Sequence, residues 1–240
     1  MKGLVAAIRW LTILPTPASL QEDYGRALLW LPVVGAVVGS CVWMAAFLGS
    51  SVDAWLGALL GVIVWLGITG FLHADGLADL SDAMGAAHGD RTRFIEVMKD
   101  PHIGSFGVMS LLLLVVSKLV LLKLLIDHGA WWALFLIPAW ARLGVSWWAL
   151  SLPSLTDGSA KAWAEDASIV HSIWWAITLV LMTIYFVSGS WLAVIAPVLL
   201  WFWHLFLQKK IGGVNGDCLG AGIEVCEVGM LLLLVVAHAV

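Results

Sequence analysis

The chain has 240 residues, of which 62% are hydrophobic and 12% charged, with a formal net charge of −4. No soluble domain of this length can hide that much apolar surface in one core, so the composition points to a protein that crosses a membrane several times. The apolar runs are unbroken rather than alternating, which argues against a strand barrel and for an all-α, polytopic membrane helix bundle.

In chain order, residues 3–13 read as a short amphipathic helix at the membrane surface, with Lys2 and Arg9 towards the headgroups. This stretch carries Arg9 in its middle and ends in Pro15 and Pro17, so it does not read as a cleavable signal. A first span is expected over about Arg26 to Leu48, with Gly35 and Gly39 as a GxxxG pair for close helix approach. A second runs from about Ala54 to Leu72, followed by a polar loop over about 74–103. Further spans are expected over about Gly104 to Ile126, Trp131 to Leu150, 169–187 and 190–207. The turn Ser188-Gly189-Ser190 divides the last two. A second polar loop at about 208–218 leads into a final span starting near Leu219.

The sum is about seven transmembrane helices in a single domain, 1–240, plus the N-terminal interfacial helix. Lys2, Arg9, Arg26, Arg91, Arg93, Lys99, Lys161, Lys209 and Lys210 all fall on one side of this arrangement. The positive-inside rule makes that side, with the N-terminus and both polar stretches, cytoplasmic. Trp10, Trp30, Trp131, Trp132, Trp174 and Trp175 lie near span ends and read as interfacial anchors. Cys41, Cys218 and Cys226 show no disulfide or metal spacing and read as packing residues.

Asp75, Asp79 and Asp82 place three carboxylates within eight residues of a chain poor in charge. At about 100° per helical residue they fall within about 60° of one face. Like charges so stacked repel, and a divalent cation such as Mg2+ would offset them. The bland alternative makes Asp75 a helix N-cap and leaves the other two solvated. The stretch Gly212-Gly213-Val214-Asn215-Gly216-Asp217 and the following Glu224 and Glu227 repeat the pattern. Asp217 and Glu224 lie seven apart on one helical face, and the glycines allow close approach to a phosphate. The alternative there is a turn with carboxylates placed favourably at a helix N-terminus. Two such clusters could hold one or two divalent ions on a diphosphate. Arg91, Arg93 and Lys99 could neutralise phosphate oxygens or simply face the membrane surface. Lys118 and Arg142 fall inside spans, as functional cations or as buried partners of helix carboxylates. His73 reads equally as a ligand or base and as a packing histidine.

Several stretches together resemble the cobalamin synthases, also called adenosylcobinamide-GDP ribazoletransferases. They are Phe71-Leu72-His73-Ala74-Asp75-Gly76-Leu77-Ala78-Asp79-Leu80-Ser81-Asp82, the run from Glu96 to Gly107, and the run from Gly212 to Glu224. Leu11 to Pro17 and Leu31-Pro32-Val33-Val34-Gly35 also fit, so the resemblance covers nearly the whole chain in the family's order. It departs at Ala83, where the family often has glycine, and the loop 152–168 matches no pattern.

The resemblance implies a magnesium-dependent enzyme of the bacterial or archaeal cytoplasmic membrane, acting on its cytoplasmic side. A hydroxyl of ribazole or ribazole 5'-phosphate attacks the phosphate attached to cobinamide in adenosylcobinamide-GDP, and GMP leaves. Asp75, Asp79, Asp82, Asp217 and Glu224 would hold the metal, and Asp82, Asp79 and His73 would serve the chemistry. Arg91, Lys99, Lys118 and Asn215 would bind the substrate. The partners are those two substrates and the lipid bilayer; no nucleic acid is expected, and self-association is left open. A CDP-alcohol phosphotransferase is the nearest enzymatic rival, but Asp79-Leu80-Ser81-Asp82 is followed by Ala83-Met84-Gly85 without that family's Ala-Arg. A cation-coupled transporter, the rival from another class, predicts mid-membrane carboxylates and an inverted repeat.

Overall fold

The computed structural model describes residues 2–16, 24–155, 169–186 and 191–239. Pro17, most of the acidic loop with Lys161, and the Ser188-Gly189-Ser190 turn lie outside the described residues. The described residues form helices, with one isolated bridge between Ser154 and Val214.

Helix α1 (Lys2–Leu11) buries Gly3, Ala6, Ala7 and Leu11. After it, α2 (Tyr24–Ala27) passes through a tight turn, Leu28–Trp30, into α3 (Leu31–Ser50). Pro32 sits in the first turn of α3, where its missing N–H costs nothing. Asp53 caps α4 (Ala54–Ile68) by accepting from the Trp55 N–H at 2.8 Å. Next come α5 (Leu72–Ala87), α6 (Arg91–Val97), α7 (Ser105–Asp127) and α8 (Ala133–Ser151). Then follow α9 (Ile169–Phe186), α10 (Trp191–Phe206) with a widened turn over Leu207–Ile211, and α11 (Gly216–Ala239). Six of these segments are long and apolar enough to cross a membrane, and the bent pair α4 and α5 is a seventh candidate.

The polar stretch at 74–103 is therefore largely helical, in α5 and α6. The axes of α4 and α5 differ by 82°, so α5 turns away from the crossing that α4 makes rather than prolonging it. Two consecutive left-handed residues make the bend, Gly70 at φ 59° and Phe71 at φ 61°. Composition alone reads such a segment as loop, because one face of α5 is polar while the other is buried. The second polar stretch also shortens: helix continues to Ile211 and resumes at Gly216.

Helix α3 packs against α4 and α8, and α11 meets α5, α7, α8 and α10. Gly35 and Gly39 are the contact of α3 with α8. A Cβ on Gly35 would lie 2.3 Å from the Pro138 carbonyl oxygen, and one on Gly39 2.2 Å from that of Leu134. Gly39→Leu is expected to force these helices apart at a cost of about 1–3 kcal/mol, measured as a lower thermal midpoint in a fixed detergent. An unchanged midpoint would refute the contact. Trp132 and Trp174 are exposed, as anchors should be, whereas Trp65, Trp140 and Trp148 are fully buried. Two of the buried three bond across helices, Trp140 to the Thr183 hydroxyl at 3.1 Å and Trp148 to the Leu200 carbonyl at 3.0 Å.

Candidate functional site

The site is built where α5 crosses the start of α11. Gly76 makes the crossing possible: a Cβ there would sit 2.9 Å from the Asp217 Cα and carbonyl oxygen. Further along, Gly220 packs on the backbone of His73. Residues 73, 76, 80, 83 and 87 of α5 are buried, while Asp75 is exposed and Asp79 and Asp82 are half-buried. The two polar stretches, more than a hundred residues apart, thus meet at one face of the bundle.

Asp75 does not cap α5; the cap position is Phe71, whose carbonyl accepts the Asp75 N–H at 2.9 Å. Asp79 stands among Asp75, Asp217 and Asp82, and partial burial together with these charges pushes its carboxyl up to about 6. Asp82 has a separate task. Its two oxygens accept the N–H groups of Gly104 at 2.7 Å and Gly107 at 2.9 Å, fixing the N-terminus of α7 against α5. Asn215 caps α11, accepting the Cys218 N–H at 2.9 Å, and its amide donates to an Asp217 oxygen at 2.9 Å. Its side chain thereby orients a carboxylate, whereas the sequence had marked it for substrate.

His73 is buried, and neither ring nitrogen has a hydrogen-bond partner among the described residues. It lines a cavity of about 170 Å³ with Asp217, Gly216, Gly220, Trp10 and Leu11. Trp10 and Leu11 bring the N-terminal helix to the same face as the carboxylates.

Two residues marked for this site lie elsewhere. Glu224, a candidate metal ligand, is 1% exposed and forms an ion pair of 2.5 Å with Lys118. Lys118, a candidate for substrate binding, also donates to Glu227 at 2.7 Å and lies 4.3 Å from the centre of the Trp65 ring. Arg142 completes the group by donating to the other Glu227 oxygen at 2.7 Å. Two cations and two anions thus neutralise one another inside the bundle. Of the two readings the sequence left for Lys118 and Arg142, the structure shows the buried partner of helix carboxylates, with Glu224 and Glu227 as the carboxylates.

Of the remaining cations, Arg93 pairs with Glu96 at 3.2 Å, and Lys99 is exposed just past α6. Arg91 lies in a cleft of about 380 Å³ at the C-terminal end of α5, together with Lys209, Lys210 and Gly212. Lys209 and Lys210 had served in the sequence only to set orientation.

Among the described residues no three His, Cys, Asp or Glu side chains are disposed to close round one metal ion. Magnesium does not require such a cage: it keeps several waters and takes one or two carboxylates plus substrate phosphates. An all-oxygen set of mutually repelling carboxylates fits a hard cation of that kind.

Residues 3–235 match the family described as Cobalamin-5-phosphate synthase. The chain belongs to that family. It is 47% identical to the adenosylcobinamide-GDP ribazoletransferase of Laribacter hongkongensis, over 99% of this chain and 98% of the relative. The corresponding figures are 44%, 97% and 94% for the protein of that name from Thiobacillus denitrificans. For the one from Pseudomonas putida they are 32%, 97% and 98%. No solved structure matches significantly.

Proposed function

We propose that this chain is a membrane-embedded adenosylcobinamide-GDP ribazoletransferase that uses magnesium. A hydroxyl of ribazole or ribazole 5'-phosphate attacks the phosphate attached to cobinamide, and GMP leaves. The observation that carries the magnesium assignment is the meeting of Asp75, Asp79 and Asp82 with Asp217 from a second helix, where partial burial first and then repulsion by the neighbouring carboxylates raise Asp79 to about 6.

Asp75 and Asp217, one from each helix, would hold the cation. A cation held there would supply positive charge to offset that of the diphosphate and of the leaving phosphate. Asp79, lying between them, takes the proton of the attacking hydroxyl once it is ionised. Asp82 ties α7 to α5 and keeps the row in register; Asn215 holds Asp217. The positive residues Lys2, Arg9, Arg26, Arg91, Arg93, Lys99, Lys209 and Lys210 support a cytoplasmic placement for this face. The internal neutrality of Lys118, Arg142, Glu224 and Glu227 favours a structural pairing over an ion path.

The test incubates the purified protein with adenosylcobinamide-GDP, ribazole 5'-phosphate and Mg2+, and measures corrinoid product and GMP. Both are expected in equal amounts. Chelation should abolish them, and Asp75→Asn should raise the Mg2+ concentration needed for half-maximal rate by about tenfold or more. Turnover undiminished by chelation would overturn the metal assignment.

A further inference from the structure

The cleft at the C-terminal end of α5 is not used by the chemistry above. Its walls come from the end of α5 (Met84, Ala87), the start of α6 (Arg91, Phe94) and the turn that ends α10 (Lys209, Lys210). The guanidinium of Arg91 lies against Gly212, where an added Cβ would be 3.0 Å from Nη1. Gly212 is left-handed at φ 80°, and any side chain there would both strain the turn and crowd the arginine. Among the described residues no carboxylate forms an ion pair with Arg91, Lys209 or Lys210. The acidic residue of the cleft, Asp90, is engaged as the cap of α6, accepting the N–H groups of Thr92 at 2.8 Å and Arg93 at 3.3 Å. Three cations from two separate segments therefore face one cavity whose lining carboxylate, Asp90, is turned to the start of α6.

Such a cavity suits a compact dianion. A phosphate monoester carries about −1.5 to −2 charge at neutral pH and offers three acceptor oxygens. Position narrows the choice of phosphate. Met84 and Ala87 lie about 3 Å and 8 Å beyond Asp82 along the axis of α5, at 1.5 Å per residue. The cleft is thus next to the acidic row but separate from it. The diphosphate whose bond breaks belongs at the row, whose carboxylates would hold the cation that offsets its charge. A phosphate bound by lysine and arginine beyond the row is one that is held without reacting. The family description, Cobalamin-5-phosphate synthase, says that the product keeps such a group, whereas the relatives' name speaks of ribazole alone.

We infer that the Arg91–Lys209–Lys210 cleft is where the phosphate of ribazole 5'-phosphate binds. This rests on the function proposed above. No bond to that phosphate forms or breaks; it enters with the acceptor and leaves on the product. Anionic lipid headgroups present the same chemistry, and the cleft lies at the face where the charged segments gather.

The test compares kcat/KM for ribazole 5'-phosphate with that for free ribazole, using the full chain in phosphatidylcholine nanodiscs with Mg2+ and adenosylcobinamide-GDP. Wild type should prefer the phosphorylated acceptor. In Lys209→Gln/Lys210→Gln the ratio of the two constants should fall by about 100-fold, the loss expected for two charge-assisted contacts. Arg91→Gln should lower it by about tenfold, and Lys209→Arg/Lys210→Arg should restore most of it. Equal loss with both acceptors, in the double variant and in Arg91→Gln alike, would overturn the inference, as would an unchanged ratio or a wild type without preference. A change of ratio seen only in nanodiscs containing phosphatidylglycerol would overturn it in favour of a headgroup site. A wild type that turns over neither acceptor would instead overturn the functional reading beneath it.

Discussion

Lys118→Met is expected to destabilise the bundle by about 3–5 kcal/mol, more than any other single substitution considered. Lys118 is fully buried and carries the compensation for Glu224 and part of that for Glu227. Methionine fills a similar volume, so the loss is of charge balance rather than of packing. Glu227 keeps Arg142 at 2.7 Å, but Glu224 is left as an uncompensated carboxylate in an apolar interior. The measurement is the midpoint of thermal or denaturant unfolding at a fixed detergent and lipid ratio. The decisive control is the double variant Lys118→Met/Glu224→Gln, which removes one charge of each sign and leaves the Arg142–Glu227 pair intact. Most of the lost stability should return, because burying neither charge is close to neutral whereas burying one is not. A single variant as stable as wild type, or a double variant no better than the single, would show that the network bears no such weight. The same cycle reports on activity. Glu224 lies two turns below Asp217 on α11, so a displaced helix should also move the carboxylate that Asn215 orients.

This network also shows where sequence reading reaches its limit. Asp217 and Glu224 share a helical face because seven residues are close to two turns, and that inference was sound as far as direction goes. Seven residues are also about 10 Å of axial rise, and periodicity does not say how deep a side chain ends. Here the rise carries Glu224 from the mouth of the bundle into its interior, to a lysine on α7. The spans were legible because unbroken apolar runs have one physical solution in lipid. The aspartate row was legible because its spacing matches one face of a helix. The turn of α5 away from α4 was not, since it rests on two left-handed residues, one of them the phenylalanine Phe71, where glycine would be the usual signal. The double role of Asp82 escaped for another reason: its partners are the backbone N–H groups of Gly104 and Gly107, and backbone donors leave no mark in a sequence. Likewise Lys209 and Lys210 acquire a site only when folding brings Arg91 to them.

Asp79→Asn should separate stability from function at a single position. In the metal-free protein Asp79 is held at about 6 by partial burial and by Asp75, Asp217 and Asp82, against an ordinary value near 3.8. Between those two values the folded protein binds a proton that the unfolded chain has released. Stability of the metal-free form should therefore be greatest at the acid end of this range and fall as pH rises through about 4 to 6. The loss arises because the Asp79 charge must be carried partly buried and beside three others. The asparagine variant has no such charge, so it should be at least as stable as wild type above pH 6 and should lose the pH dependence across this window. Added Mg2+ should stabilise wild type more than the variant, because the cation relieves a repulsion that asparagine lacks. Activity should move the other way. Without a carboxylate to accept the hydroxyl proton, kcat is expected to fall on the order of 10²- to 10³-fold, within the range that positioned acid–base groups contribute. In wild type the acid limb of kcat/KM should lie at or below about pH 6, since a bound cation favours the ionised carboxylate. Thermal midpoints from pH 4 to 8, with and without Mg2+, and turnover over the same range check each part. A variant less stable than wild type at neutral pH without metal would contradict the crowding of these carboxylates. A variant with near wild-type turnover would remove Asp79 from the reaction and pass the proton to another group of the row.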